Sequence, residues 1–129
     1  MARILLVEDD PAIQNAYQFV LTKAGFTVDV ARDGQEAMAL VENIPDLIFC
    51  DMLMPGFSGL DFLREANPKQ RFPQMKIIAV SNIDSSKIKE DAMALGVEKY
   101  VIKVNLTPHD LVDLANETLG LTPEKAPSQ

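Results

Sequence analysis

The sequence predicts a single α/β domain, in which a five-stranded parallel sheet carries helices on both faces in a doubly wound arrangement. Five short apolar runs alternate with five segments whose apolar residues recur at helical spacing, the pattern of repeated strand–helix units. Each connection is long enough for a parallel crossover. The third run, 47–50, is wholly apolar and leads into Asp51, as expected for a strand buried on both faces.

The composition narrows the class of protein. The chain has 129 residues, of which 47% are hydrophobic and 24% charged, and this length suits one domain. Its net charge of −7 argues against direct contact with nucleic acid, because phosphate backbones attract basic surfaces. No apolar run approaches the roughly 20 residues that cross a bilayer, and Arg3 enters the first apolar run too early for a signal peptide. With one cysteine, we expect a cytoplasmic domain without a membrane contact.

Turn and cap residues separate the elements. We predict strands over 4–7, 27–31, 47–51, 76–80 and 100–102. We predict that helices follow the N-cap residues Asp10, Asp33, Ser58, Asp84 and Thr107. Residues 69–74 are polar and interrupted by proline, which indicates a loop. We assign 1–121 to the domain and the polar, proline-containing segment 122–129 to a flexible tail or a truncated linker.

Charged and hydroxyl side chains follow four of the predicted strands. They are Glu8 and Asp9 after the first strand, Asp51 after the third, Ser81 after the fourth and Lys103 after the fifth. If the first and third strands are neighbours, three carboxylates crowd together and cannot all stay ionised without a counter-charge. Mg²⁺ suits such a site. Together with an ammonium and a hydroxyl, these carboxylates predict phosphoryl transfer, with an aspartate as a possible nucleophile.

Several motifs occur in order along the chain, each near a strand end. They are ILLVEDD at 4–10, ARDGQEA at 31–37, DMLMPGFSG at 51–59 and AVS at 79–81, followed by Gly96, Tyr100 and Lys103. Through them the chain, from Arg3 to about Leu119, resembles the receiver domain of bacterial two-component response regulators, as in chemotaxis regulators. The resemblance implies a flavodoxin-like sheet with strand order 2-1-3-4-5.

The resemblance also implies a function and partners. A sensor histidine kinase or a histidine phosphotransfer protein would donate a phosphoryl group to Asp51 in a Mg²⁺-dependent step of a phosphorelay. The domain would catalyse its own phosphorylation and dephosphorylation and would turn over no separate substrate. Asp9 would bind Mg²⁺ directly, Glu8 mostly through water, and Asp51 and the backbone carbonyl of Leu53 would complete the protein ligands.

The same resemblance implies how the phosphorylated state is sensed. Lys103 would pair with a phosphoryl oxygen and Ser81 would turn towards the phosphoryl group. Tyr100 would then change rotamer, altering the surface formed by the last strand and its flanking helices. The sequence does not identify what receives the signal at this surface, which is either an output partner or a missing output domain.

Two positions and one helix depart from the usual pattern of the family. Val104 replaces the proline that usually follows the lysine, so the Lys103–Val104 bond is either trans in a reshaped loop or a strained cis bond. Asn82 replaces a small residue, and with Leu53 it is expected to hinder the attacking water and slow hydrolysis of the aspartyl phosphate. The last helix, 109–119, contains no Lys or Arg, which disfavours the symmetric dimer of winged-helix transcription factors and favours a monomer or weak dimer.

Two alternatives remain open from the sequence. A pseudo-receiver would bind partners without phosphorylation, and failure to bind Mg²⁺ would favour it. A phosphohydrolase of the haloacid dehalogenase type also uses an aspartate nucleophile on an α/β sheet and would turn over a phosphate ester. Its Asp-x-Asp pair is missing, because Leu53 stands two residues after Asp51 and Pro11 two residues after Asp9.

Overall fold

A computed structural model describes residues 2–121, so the tail predicted at 122–129 lies outside the described residues. The strands are β1 Arg3–Val7, β2 Thr27–Ala31, β3 Leu47–Asp51, β4 Lys76–Ser81 and β5 Lys99–Ile102. The helices are α1 Pro11–Lys23, α2 Gly34–Leu40, α3 Gly59–Ala66, α4 Pro68–Arg71, α5 Ser86–Ala94 and α6 Pro108–Leu119. Single 3₁₀ turns cover Val41–Asn43 and Lys103–Asn105.

The five strands form one parallel sheet in the order β2-β1-β3-β4-β5. This confirms the predicted fold class and strand order. In the ladder, Val7 lies beside Cys50 and Asp51 lies beside Val80. Because all strands run in the same direction, the residues that follow them meet at one edge of the sheet, with Asp51 at its centre.

The sheet divides the apolar core into two layers, because successive strand residues point to opposite faces. One layer contains Leu5, Val7, Ile48, Cys50, Ile77 and Ala79 with residues of α2, α3 and α5. The other contains Ile4, Leu6, Leu47, Phe49, Ile78 and Val80 with residues of α1 and α6. All five residues of β3 are buried, so Asp51 ends a strand that is enclosed on both faces.

Two local predictions were wrong. Residues 69–71, predicted as a loop, belong to the single turn α4, which starts with Pro68 directly after Asn67. Asn67 ends α3 in a left-handed conformation, and proline suits the first position of a new helical turn. Helix α5 is capped by Ser85, whose hydroxyl accepts from the Ile88 amide at 3.3 Å, and not by Asp84.

The start of α3 packs directly on the end of β3. Ser58, the predicted N-cap, forms a capping box with Asp61, and the next residue after Ser58 is Gly59. A Cβ atom at Gly59 would stand 1.9 Å from the backbone oxygen of Asp51 and 2.7 Å from the sulfur of Cys50. Only glycine therefore allows α3 to approach the strand that carries the central carboxylate.

Gly59→Ala is expected to lower the free energy of unfolding by about 3 kcal/mol, because the added methyl group meets backbone that cannot move without displacing β3. Urea denaturation followed by far-UV circular dichroism measures the loss. Glu65→Ala, on the exposed side of the same helix, serves as the control and is expected to change stability by less than about 0.5 kcal/mol. A Gly59→Ala variant as stable as the control would contradict the close packing.

Candidate functional site

The carboxyl edge of the sheet brings two buried carboxylates to one lysine. The Nζ atom of Lys103 lies 2.7 Å from Oδ2 of Asp51 and 2.9 Å from Oε1 of Glu8. Glu8 is 2% exposed, Asp51 4% and the side chain of Lys103 9%. The three strand ends therefore place one ammonium between two acids, largely shielded from bulk water.

Backbone amides hold the remaining carboxylate oxygens. Oδ1 of Asp51 accepts a hydrogen bond from the amide of Leu53 at 3.1 Å, and Oε2 of Glu8 accepts one from the amide of Asp10 at 3.0 Å. Each buried acid thus receives one charged and one neutral donor. Such bonds lower the cost of burying a charged group.

A third carboxylate completes the cluster. Oxygen atoms of Glu8, Asp9 and Asp51 all lie within 4.8 Å of one another, and Asp9 is exposed. One ammonium cannot neutralise three carboxylates, so the cluster keeps an excess of negative charge. Three hard oxygen donors that are open to solvent on the Asp9 side match the preference of Mg²⁺ for carboxylates and retained water. The residues therefore fit the ion.

The pKa values of the three central groups follow from this arrangement. Burial raises the pKa of the Glu8 and Asp51 carboxyls above their ordinary values, and the hydrogen bonds from Lys103 only partly offset it. Burial acts to lower the pKa of Lys103, but its bonds to Asp51 and Glu8 outweigh that effect and raise it. The lysine therefore stays charged, whereas the two carboxylates take up a proton more readily than exposed carboxylates do.

Ser81 and Tyr100, both predicted to sense the phosphorylated state, meet at one loop residue. Ser81 is fully buried, and its hydroxyl oxygen accepts a hydrogen bond from the Ile83 amide at 3.1 Å. The hydroxyl of Tyr100 donates to the backbone oxygen of Ile83 at 2.7 Å. The two side chains are therefore connected through a single residue that the sequence analysis did not identify.

Asn82 and Val104, which depart from the family pattern, and Leu53 each stand within two residues of a site side chain and are exposed. Leu53 is 41% exposed and Val104 77%, and Asn82 is also exposed. The Lys103–Val104 peptide bond is trans, and Lys103–Asn105 forms a 3₁₀ turn. Of the two predicted arrangements, the chain therefore has the trans bond with a reshaped loop.

Helix α1 contributes two residues that sequence reasoning missed. The side-chain amide of Gln14 donates to the backbone carbonyl of Glu8. Tyr17 is buried, and burial together with the nearby Glu8 carboxylate raises the pKa of its phenol. The available signal was their spacing of three residues, which places both on one face of α1. That spacing alone does not separate a contact with the site from ordinary core packing.

Comparison with known proteins assigns the family. Residues 4–116 match the response regulator receiver domain, and the chain belongs to that family. The transcriptional regulatory protein TrcR of Mycobacterium tuberculosis is 31% identical over 120 residues, which cover 92% of this chain and 44% of TrcR. The phosphate regulon transcriptional regulatory protein PhoB of Rhizobium meliloti is 30% identical over 109 residues, which cover 84% of this chain and 48% of PhoB. The chain thus spans less than half the length of these curated relatives.

Solved structures agree with this assignment. A CheY-like receiver domain protein from Methanospirillum hungatei superposes with a TM-score of 0.85 at 30% identity, covering 93% of this chain and 94% of that one. Chemotaxis protein CheY4 of Vibrio cholerae superposes with a TM-score of 0.83 at 27% identity, covering 92% and 99%. Among residues 2–121, every helix is too short or too polar to cross a bilayer.

Lys103→Met is expected to lower the free energy of unfolding in metal-free buffer at neutral pH by about 3–5 kcal/mol, because it leaves two buried carboxylates without their cation. The loss should shrink as pH falls. Burial raises the pKa of Glu8 and Asp51, so the folded state binds their protons more tightly than the unfolded chain. Their cost to stability is absent below the unfolded pKa values and develops as pH rises through the folded ones.

Urea denaturation at a series of pH values, from neutral pH down to below the unfolded pKa values of Glu8 and Asp51, measures the effect of Lys103→Met. Lys99→Met is the matched control, because Lys99 is exposed and its pair with Glu117 at 3.1 Å lies at the surface, where such a pair contributes little. Equal losses in the two variants, or a loss at Lys103 that does not depend on pH, would contradict this account of the buried cluster.

Proposed function

We propose that this receiver domain is a phosphoryl-accepting switch and that Asp51 is the acceptor. The observation that carries the proposal is the buried triad in which Lys103 contacts both Glu8 and Asp51, with the Asp9 carboxylate beside them. A structural ion pair needs one acid and one base. The third acid, Asp9, is open to solvent and gives the cluster an excess of negative charge, which a cation can neutralise. The cation and Lys103 can then attract an incoming anionic phosphoryl group.

The chemistry assigned to the triad is transfer from a phosphohistidine. An oxygen of Asp51 attacks the phosphorus, and the P–N bond breaks with its electron pair returning to the imidazole nitrogen, which takes up a proton. Lys103 donates to a phosphoryl oxygen and stabilises the charge that builds up there. The fully buried Ser81 supplies the hydroxyl that approaches the new phosphoryl group.

Glu8, Asp9 and Asp51 are the side chains proposed to hold Mg²⁺, with the backbone carbonyl of Leu53 as a further ligand. The bound ion supplies charge neutralisation at the phosphoryl oxygens. The role of the protein groups is to keep the carboxylates close together despite their repulsion. Lys103 and the amides of Leu53 and Asp10 do this at distances of 2.7–3.1 Å.

The proposed donor is a sensor histidine kinase or a histidine phosphotransfer protein, with transfer in the cytoplasm. The proposed readout passes from Ser81 through Ile83 to Tyr100 and so to the surface of β5, α5 and α6. Residues 1–121 form the receiver in this proposal. TrcR and PhoB are named as transcriptional regulators, which supports an output domain or output partner as the recipient of the signal.

Incubation with acetyl phosphate and Mg²⁺ tests the acceptor. The wild type is expected to gain one phosphoryl group that hydroxylamine removes, detected by mass spectrometry of the intact protein. Asp51→Asn is expected to gain none, because an amide is too weak a nucleophile. Asp113→Asn, an exposed carboxylate on α6, is the control and should behave as the wild type does.

Full labelling of Asp51→Asn would overturn the assignment of Asp51. A wild type that neither gains a phosphoryl group nor binds Mg²⁺ would favour a pseudo-receiver. Steady release of phosphate from a phosphate ester would favour a hydrolase of the haloacid dehalogenase type.

We further propose that Asn82 and Leu53 lengthen the lifetime of the aspartyl phosphate. Both side chains are exposed and follow β4 and β3, the strands that end in Ser81 and Asp51. The amide of Asn82 and the isobutyl group of Leu53 restrict the space through which the attacking water reaches the phosphoryl group on Asp51. Asn82→Ala is expected to increase the hydrolysis rate several-fold.

The decay of the labelled protein after removal of acetyl phosphate measures the rate. Asn15→Ala, on the exposed face of α1, is the matched control for an asparagine-to-alanine change. If both variants decay at the wild-type rate, the role of Asn82 fails while the assignment of Asp51 stands.

A further inference from the structure

Gln14 lies outside the cluster of acids but contacts its backbone. It stands in the second turn of α1 and is half-buried. Its side-chain amide donates to the carbonyl oxygen of Glu8, which is the residue directly before Asp9. The helix that carries Gln14 is anchored at its own start by Asp10, whose carboxylate accepts from the amides of Ala12 and Ile13.

The bond acts on the peptide unit between Glu8 and Asp9. A peptide unit is planar, so fixing the direction of the Glu8 carbonyl also fixes the direction of the Asp9 amide and the position of its Cα atom. On the other side of Glu8, the backbone amide is tied to the Ala31 carbonyl at 3.0 Å. The Glu8 backbone is therefore held from β2 and from α1 together.

Of the three carboxylates, Asp9 depends most on this support. Glu8 and Asp51 are buried and bonded to Lys103, whereas Asp9 is exposed. Packing does not enclose its side chain, so the direction of the chain at its Cα atom decides where the carboxylate can reach. The Gln14 bond is a side-chain contact with the peptide unit on which this direction depends.

We propose that Gln14 is a positioning residue for the proposed divalent cation site, acting through the Glu8–Asp9 peptide unit to aim the Asp9 carboxylate at Glu8 and Asp51. This inference rests on the proposed function, because it assumes that the three carboxylates take Mg²⁺. Groups that orient metal ligands without touching the metal commonly change affinity by one to two orders of magnitude. Gln14 acts through the backbone, and an effect of about tenfold is expected.

Gln14→Met tests the inference. Methionine keeps the length of the side chain and its neutral charge but has no N–H donor, so a change in Mg²⁺ affinity reports geometry and not Coulomb attraction. Titration with MgCl₂, followed by isothermal calorimetry and by the ¹⁵N–¹H signal of Asp9, should give an affinity about tenfold below that of the wild type. The Asp9 signal should also shift in metal-free protein, which a role in overall stability would not cause.

Gln18→Met is the matched control, because Gln18 stands one turn further along α1 and is exposed. It should bind Mg²⁺ as the wild type does. Gln14→Ala removes the same donor with different packing and should lose affinity to the same extent, and thermal unfolding without metal establishes that each variant is folded.

The outcomes separate this inference from the proposed function. A wild type that binds no Mg²⁺ overturns the cation site itself. A wild type that binds Mg²⁺, with unchanged affinity in folded Gln14→Met and Gln14→Ala, overturns only the role of Gln14. An equal loss in Gln18→Met would also overturn it, because the effect would then belong to α1 as a whole.

Discussion

The ammonium of Lys103 between two buried carboxylates is the interaction on which the rest of this edge depends. Glu8 and Asp51 end neighbouring strands, and without a cation their burial would favour protonation or separation of β1 and β3. Lys103 arrives from β5, two strands away from β3. Its ion pairs therefore connect the two ends of the functional edge across β4, so that the order of the site and the order of the sheet support one another.

A lysine shared between two acids also lowers the electrostatic cost of the proposed phosphoryl transfer. When Asp51 becomes an acyl phosphate, its charge moves outward onto the phosphoryl oxygens. The ammonium can follow that charge by a small rotation while its contact with Glu8 continues to anchor it. Because β3 is buried along its whole length and Gly59 brings α3 against its end, Asp51, the proposed acceptor, has little freedom to move. The adjustment therefore falls on Lys103 and on the loops.

The sequence predicted the fold and the composition of the site for one physical reason. Apolar periodicity identifies parallel strands, and parallel strands place whatever follows them at one edge, so Glu8, Asp51 and Lys103 could be assigned to one edge without coordinates. That they lie close together there followed from the strand order that the family resemblance implies. Prediction from the sequence failed where a residue pattern allows two structures. Pro68 can mark the end of one helix or the start of another turn, and Asp84 and Ser85 are both good N-caps. Contacts of Gln14 and Ile83 could not be predicted, because they depend on the path of a backbone carbonyl or amide that no residue type reveals.

The position of Ile83 explains why the proposed signal can be transmitted at low cost. Its amide donates to Ser81 and its carbonyl accepts from Tyr100. If Ser81 turns to a phosphoryl group, the Ile83 amide loses its partner, and in a buried segment that loss would cost about 1–3 kcal/mol. Ile83 is 48% exposed, so water can replace the hydroxyl. The loop that contains Ile83 is then free to move the Ile83 carbonyl. The Tyr100 hydroxyl must either move with this carbonyl or donate to another acceptor. In the proposed switch, a fully buried Ser81 linked to an exposed Ile83 would thus couple the centre of the sheet to its surface without leaving an unpaired polar group in the core.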